Sequence, residues 1–187
     1  FIAKAKEESC AVVVFPELSV CGYPPRDLLD FPSFLAESEK ALSLLAAQAT
    51  GITVICGAIT KNPSPEGRGF FNSAVVLENG KRVAEYHKRL LPYYDVFDEP
   101  RYFQPGRSGF IHQVSNLRVG VTICEDVWNL PGFLDRLHPE QPLDDYSSTK
   151  CDWLLNLSAS PFSLGKPQRR IELLQNVVKQ VGVPALF

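Results

Sequence analysis

Residues 117–128 read LRVGVTICEDVW: a mainly apolar, valine-rich run, then a cysteine, two acids and a tryptophan. A short apolar run of this kind, bounded by polar residues, predicts a strand covered on both faces over Leu117–Ile123. Cys124 then falls where the strand emerges into a loop, the position at which α/β folds set reactive groups. The same apolar character recurs at Ala11–Phe15, Ile52–Ala58, Ala74–Leu77 and Trp153–Leu157. Between these runs the period changes. Phe34, Leu35, Ala41, Leu42 and Leu45 share one helical face in 34–49, with Ser33 as the expected N-cap. A second helix is expected over Pro167–Val181, with Ile171, Leu174, Val177, Val178 and Val181 inward and Gly182 as its stop. Strands alternating with helices give an α/β architecture.

One departure from simple βαβ order is written at residues 79 and 80. Asn79 and Gly80 sit between the strand-like stretches 73–78 and 82–87, a strong hairpin signal, so part of the sheet must be antiparallel. The stretches Leu90–Gly109, rich in Pro, Tyr and Phe, and Leu130–Lys150 carry no clear period. Long aromatic loops of this kind commonly line a site or a contact surface.

The chain's 187 residues, 45% of them hydrophobic, suit one domain with a sizeable core. Its 19 basic and 21 acidic side chains give a formal charge of -2 without a basic stripe, which argues against nucleic acid as a partner. No apolar run approaches the ~20 residues of a membrane span, and the amino end carries no secretory segment, so a cytoplasmic protein is expected. Five cysteines without a CxxC pair read as reduced thiols, and three scattered histidines supply no set of zinc ligands, so no metal is expected. The chain opens without Met and closes on VGVPALF as another apolar strand begins, which reads as part of a longer polypeptide.

Three residues follow apolar strands and carry usable chemistry. Cys124 offers a nucleophile, Glu17 after VVVFP a base, and Lys88 at the end of the hairpin a cation. Each has an ordinary reading too: a small core thiol, a surface acid at a strand end, a solvated lysine beside Arg89. A Cys-His pairing is disfavoured, because His87 points to the opposite strand face from Lys88. The acids Glu125 and Asp126, next to Cys124, are expected to disfavour its thiolate unless Lys88 compensates.

The order Glu, Lys, Cys, each after an apolar strand, resembles that of the nitrilase superfamily of carbon-nitrogen hydrolases. More narrowly, the sequence resembles the amino-terminal glutaminase domains of glutamine-dependent NAD synthetases, in FPELSVCGYPPRDLL (15–29), YHKRLLPYYDVFDEPRYFQPG (86–106), GVTICEDVW (120–128) and NLSASPFSLGK (156–166). The resemblance implies a four-layer α-β-β-α sandwich with mixed sheets and a glutaminase domain over residues 1–187. It also implies Glu17 as base, Lys88 as oxyanion stabiliser, Cys124 as nucleophile and Glu99 as a second acid orienting the lysine. Tyr23, Tyr94, Phe97, Glu125, Ser160 and Lys166 would form the L-glutamine pocket. No cofactor is implied in this domain; ATP and Mg belong to a carboxyl-terminal synthetase domain outside the chain, which would use the ammonia to amidate deamido-NAD. No Gly-rich phosphate loop occurs in these 187 residues. Homo-oligomers are implied by resemblance alone. The alternatives are a stand-alone amidase, nitrilase or carbamoylase, and a silent assembly module.

Overall fold

The structure is a computed structural model that describes residues 1–135, 137–148 and 151–187. The helix α1 (Ile2–Glu7) leads into β1 (Val12–Val14), and α2 (Pro32–Gln48) into β2 (Thr53–Lys61). Strands β3 (Phe70–Glu78) and β4 (Lys81–His87) form the expected hairpin. Both turn residues have positive φ, 50° at Asn79 and 78° at Gly80, the geometry in which a two-residue turn matches strand twist. After a short α3 (Glu99–Tyr102) come β5 (Ile111–Val114), β6 (Leu117–Ile123), α4 (Asp144–Ser148), β7 (Trp153–Leu157), α5 (Lys166–Val181) and β8 (Ala185–Leu186).

Two four-stranded sheets result, β1-β2-β3-β4 and β5-β6-β7-β8. Both are mixed. In the first, β1 and β2 are parallel and the remaining pairs antiparallel; in the second, β5 and β6 are antiparallel and the remaining pairs parallel. The period of two along each strand divides its side chains between layers. Ile55, Ala74 and Val76 of the first sheet meet Val119, Val121, Ile123, Leu155 and Leu157 of the second in the central core. Alternate residues Val54, Cys56, Val75 and Leu77 face outward to Ile2 and Ala5 of α1 and Leu42 and Ala46 of α2. On the far side, Leu154 packs with Leu173, Val177 and Val181 of α5. This is the four-layer α-β-β-α arrangement implied by resemblance, with the apolar strands covered on both faces.

Two local expectations need correcting. Ser33 lies inside α2 rather than capping it. Phe31 occupies the cap position without a side-chain hydrogen bond, and Pro32 starts the helix with its fixed φ. In α5 the buried line is Leu173, Val177 and Val181, while Ile171 and Val178 are exposed. An i, i+4, i+8 stripe satisfies the sheet beneath it, and the sequence alone does not say which of two overlapping apolar lines faces inward. Gly182, at φ 76°, ends the helix as expected. Within the stretch 130–150, residues 136, 149 and 150 lie outside the described residues.

Candidate active site

Glu17 leaves the sheet on a loop that runs directly over β2. At Gly57 a Cβ would lie 2.1 Å from the Leu18 nitrogen and 2.5 Å from the Pro16 oxygen, so only glycine lets the loop approach this closely. Reciprocal backbone bonds fix it: Gly57 N–H donates to Pro16 O at 3.1 Å, and Val20 N–H to Gly57 O at 3.1 Å. At the end of β4, Gly106 plays a similar part for Lys88. Its N–H donates to Lys88 O at 2.8 Å, and a Cβ would strike the His87 carbonyl oxygen.

Cys124 follows the last residue of β6 and opens a 3-10 turn, Cys124–Val127, at φ 44°. A non-glycine residue in the left-handed region is strained, and backbone strain of this kind is characteristic of residues that a fold holds out at a functional site. Asp126 holds this turn. One carboxylate oxygen accepts Ile123 N–H at 2.9 Å and Tyr86 O–H at 2.7 Å; the other accepts Arg89 N–H at 3.1 Å and Leu90 N–H at 2.9 Å. Asp126 therefore ties the cysteine turn to the chain immediately after Lys88. Burial pushes its carboxyl up, and the backbone donors pull it back.

Lys88 is fully buried, with its ammonium 2.7 Å from Glu17 Oε1 and 2.7 Å from Glu99 Oε1. Burial alone would favour neutral lysine; the two carboxylates outweigh it and hold the ammonium well above its ordinary value. Glu99, buried and facing Glu17 across the cation, is held above the ordinary carboxylate range, chiefly by desolvation. Glu17 is fixed at both oxygens: Asn72 Nδ2 donates to Oε1 at 2.8 Å and Ala159 N–H to Oε2 at 3.1 Å. Asn72 also reaches Glu99 Oε2 at 3.5 Å, and Tyr23 O–H donates to Glu99 Oε1 at 2.9 Å.

The Cys124 thiol is raised well above its ordinary value, first by burial and then by the charge of Glu17, while the Lys88 ammonium acts the other way. The direction agrees with the reading of the sequence. The cause differs, because Asp126 turns to backbone N–H groups and Glu125 to other side chains, and Glu17 supplies the negative charge. Glu17, Lys88 and Glu99 thus meet at one place, with the Cys124 thiol close enough to feel all three charges and its burial favouring the protonated form.

The remaining candidates separate. Tyr94 O–H donates to both oxygens of Glu125, at 3.0 and 2.8 Å, and the Phe97 ring lies between Tyr94 at 5.5 Å and Tyr23 at 6.4 Å. Lys166 sits over the Trp128 ring at 5.6 Å, its ammonium destabilised first by burial and then by Arg170. Ser160 is less direct. It follows Ala159, which touches Glu17, but its hydroxyl accepts Arg170 Nη2 at 2.6 Å. The sequence marks Asp126 only as a charge beside Cys124, not as the residue that holds the turn, and gives no role to Asn72, Arg170 or His138, whose Nε2 lies 3.4 Å from Glu125 Oε1. Only Asp126 had a local signal, its place in the CEDVW segment.

Two facing mixed sheets have helices outside them, and a thiol, an ammonium and two carboxylates gather near the strand ends of this sandwich. The chain belongs to the carbon-nitrogen hydrolase family, whose pattern matches residues 1–174. It is 38% identical to a glutamine-dependent NAD(+) synthetase of Synechocystis sp. over 98% of this chain and 34% of that protein. To the enzyme of that name from Xanthomonas campestris it is 39% identical over 100% of this chain and 32% of the other. The chain thus spans about a third of the length of these curated relatives. Among solved structures, glutamine-dependent NAD+ synthetase from Acinetobacter baumannii superposes with TM-score 0.85 at 33% identity, covering 100% of this chain and 33% of that one. An amidase from Nesterenkonia sp. superposes at TM-score 0.72 and 19% identity over 98% of this chain and 66% of that one, a likeness of fold.

Proposed function

We propose that this domain hydrolyses L-glutamine to glutamate and ammonia through a thioester on Cys124. The observation that carries the reading is the placement of a buried lysine between Glu17 and Glu99, with a strained cysteine whose thiol feels both Glu17 and Lys88. Glu17 takes the thiol proton as Sγ attacks the carboxamide carbon. Its Oε1 is occupied by Lys88 and Asn72, whereas among the described residues Oε2 has one backbone donor, which leaves it the oxygen better placed to receive the proton. Lys88 stabilises the negative oxygen of the tetrahedral intermediate, a contribution of about 3–4 kcal/mol for one such donor. Glu17 returns the proton to the departing nitrogen as the C–N bond breaks, and ammonia leaves. Water then attacks the thioester carbonyl, giving Glu17 a proton; as the C–S bond breaks Glu17 passes that proton to Sγ, so the thiol and the carboxylate base are both regenerated and glutamate departs.

The ammonia would serve an ATP- and Mg-dependent synthetase domain of the same polypeptide that converts deamido-NAD to NAD. The similarity of the chain to a third of each glutamine-dependent NAD(+) synthetase supports this. Tyr23, Tyr94, Phe97, Glu125, Ser160 and Lys166 form the glutamine pocket in this reading. A homo-oligomeric, cytoplasmic enzyme is part of the same proposal; among the described residues no helix is long and apolar enough to cross a membrane.

Ammonia release by the full polypeptide from L-glutamine, aliphatic amides and nitriles is the test. Turnover of glutamine alone, lost in Cys124→Ala and stimulated by deamido-NAD with ATP, is expected. Turnover of simple amides or nitriles in preference to glutamine points instead to a stand-alone amidase or nitrilase and overturns the proposal.

A further inference from the structure

We infer that His138 determines specificity for the amino-acid end of the substrate by positioning the Glu125 carboxylate to receive an α-ammonium group. The inference rests on the glutaminase reading and deepens it. Glu125 is buried, its side chain 5% exposed, and its two side-chain partners among the described residues are the Tyr94 hydroxyl and His138 Nε2. No lysine or arginine among the described residues forms an ion pair with it. The carboxylate is hydrogen-bonded to a phenol and an imidazole, and the Lys166 ammonium feels its charge from beyond ion-pair distance, so a buried anion is left with room for an incoming cation. The acceptor-only carboxylate requires the tautomer with the proton on Nε2.

His138 belongs to the segment after Trp128, whose role the sequence does not disclose, and the structure pins it to the cysteine turn. Asn129, buried directly after Trp128, accepts His138 N–H at 2.8 Å through Oδ1. Its Nδ2 donates to His138 O at 3.2 Å and to Glu140 O at 2.7 Å. One amide side chain thus clamps both backbone groups of His138, and the Tyr93 ring meets the imidazole edge to face at 6.3 Å. The other charges nearby are occupied or face elsewhere. Glu140 pairs with Arg89, and Lys166 rests on the Trp128 ring, a cation available for the substrate carboxylate. The pocket end thereby offers an anion and a cation to a zwitterionic α-amino acid.

Steady-state kinetics of the full polypeptide with L-glutamine and with glutaramate, which lacks the α-amino group, test this. His138→Phe keeps a ring against Tyr93 and removes the donor; His138→Gln keeps a donor. For His138→Phe we expect KM for L-glutamine to rise about tenfold, as loss of one hydrogen bond to a charged group implies, with kcat changed less than about twofold. KM for glutaramate stays unchanged, and His138→Gln restores most of the glutamine affinity. Equal effects on both substrates, an effect on kcat alone, or no effect overturns the inference while leaving the glutaminase reading intact. A wild-type protein that releases no ammonia from L-glutamine overturns both.

Discussion

The α-carbon of Gly57 abuts the backbone of Leu18 so closely that a methyl group there would sit 2.1 Å from the Leu18 nitrogen. The clash is with main chain, which cannot rotate aside, and the next residue back is Glu17. Gly57→Ala should therefore lower stability by about 1–3 kcal/mol through overpacking. Glutamine turnover should fall by about 100-fold, since a displacement near 1 Å costs that much when reacting groups are aligned. Urea denaturation and an ammonia assay on the same preparation check this; a variant with normal turnover would show that the loop tolerates movement.

Because Glu17 raises the Cys124 thiol, removing its charge should lower the pKa, so Glu17→Gln carries more thiolate at any given pH. Alkylation of Cys124 should be faster in this variant at neutral pH while glutamine turnover falls by roughly 10²–10⁴-fold for want of a proton shuttle. In the wild-type protein the alkylation rate should keep climbing into alkaline pH. Pseudo-first-order labelling followed by peptide mass spectrometry reads both, and a wild-type plateau below neutral pH would falsify the resting thiol.

Lys88→Met leaves Glu17 and Glu99 buried and facing each other, and should cost about 3–5 kcal/mol, as breaking a buried pair usually does. Glu99→Gln keeps one carboxylate opposite the lysine and should cost less. The pH dependence follows from the raised Lys88. Its contribution is complete below the 10.5 of an ordinary lysine and is lost only as pH rises through the higher folded value, so the stability gap between wild type and Lys88→Met should stay open across neutral pH. Denaturant midpoints at several pH values decide; equal losses for the two variants would contradict the geometry.

Asp126→Ala strands the N–H groups of Ile123, Arg89 and Leu90 and the Tyr86 hydroxyl at buried positions. Each unsatisfied group costs about 1–3 kcal/mol. A loss of at least about 3 kcal/mol is expected, with kcat reduced because the Lys88 end of β4 is no longer tied to Cys124. Thermal unfolding and kcat measured well below the melting temperature separate the effects; an active variant of wild-type stability would remove Asp126 from the machinery.

The strands were legible in the sequence because burial on both faces imposes an apolar run, and β6 and β7 coincide with the stretches read from it. The turn at Asn79–Gly80 was equally plain, since few residues accept two consecutive positive φ values. Helix facing was not: Leu173 rather than Ile171 is buried, a choice made by the sheet beneath α5. Glu17, Lys88 and Cys124 stood out as reactive types at strand ends, and motif order joined them. Asn72 and His138 gave no such sign, since an asparagine within a strand and a histidine in a loop have no period or spacing to betray them.

What the sequence determined by itself was therefore local: which segments are strands, where the hairpin turns, where a thiol leaves a buried strand, and through resemblance which family it joins. Tertiary structure alone decided the contacts that make a site. Glu17 Oε2 meets the Ala159 N–H across 142 residues of chain, and Lys88 meets Glu17 across 71. Local propensity acts over a few residues, whereas such meetings depend on how two sheets stack and which loops their edges force together. The same stacking supplies the burial that keeps Cys124 a thiol, a property that no reading of its neighbours Glu125 and Asp126 could assign to its true cause.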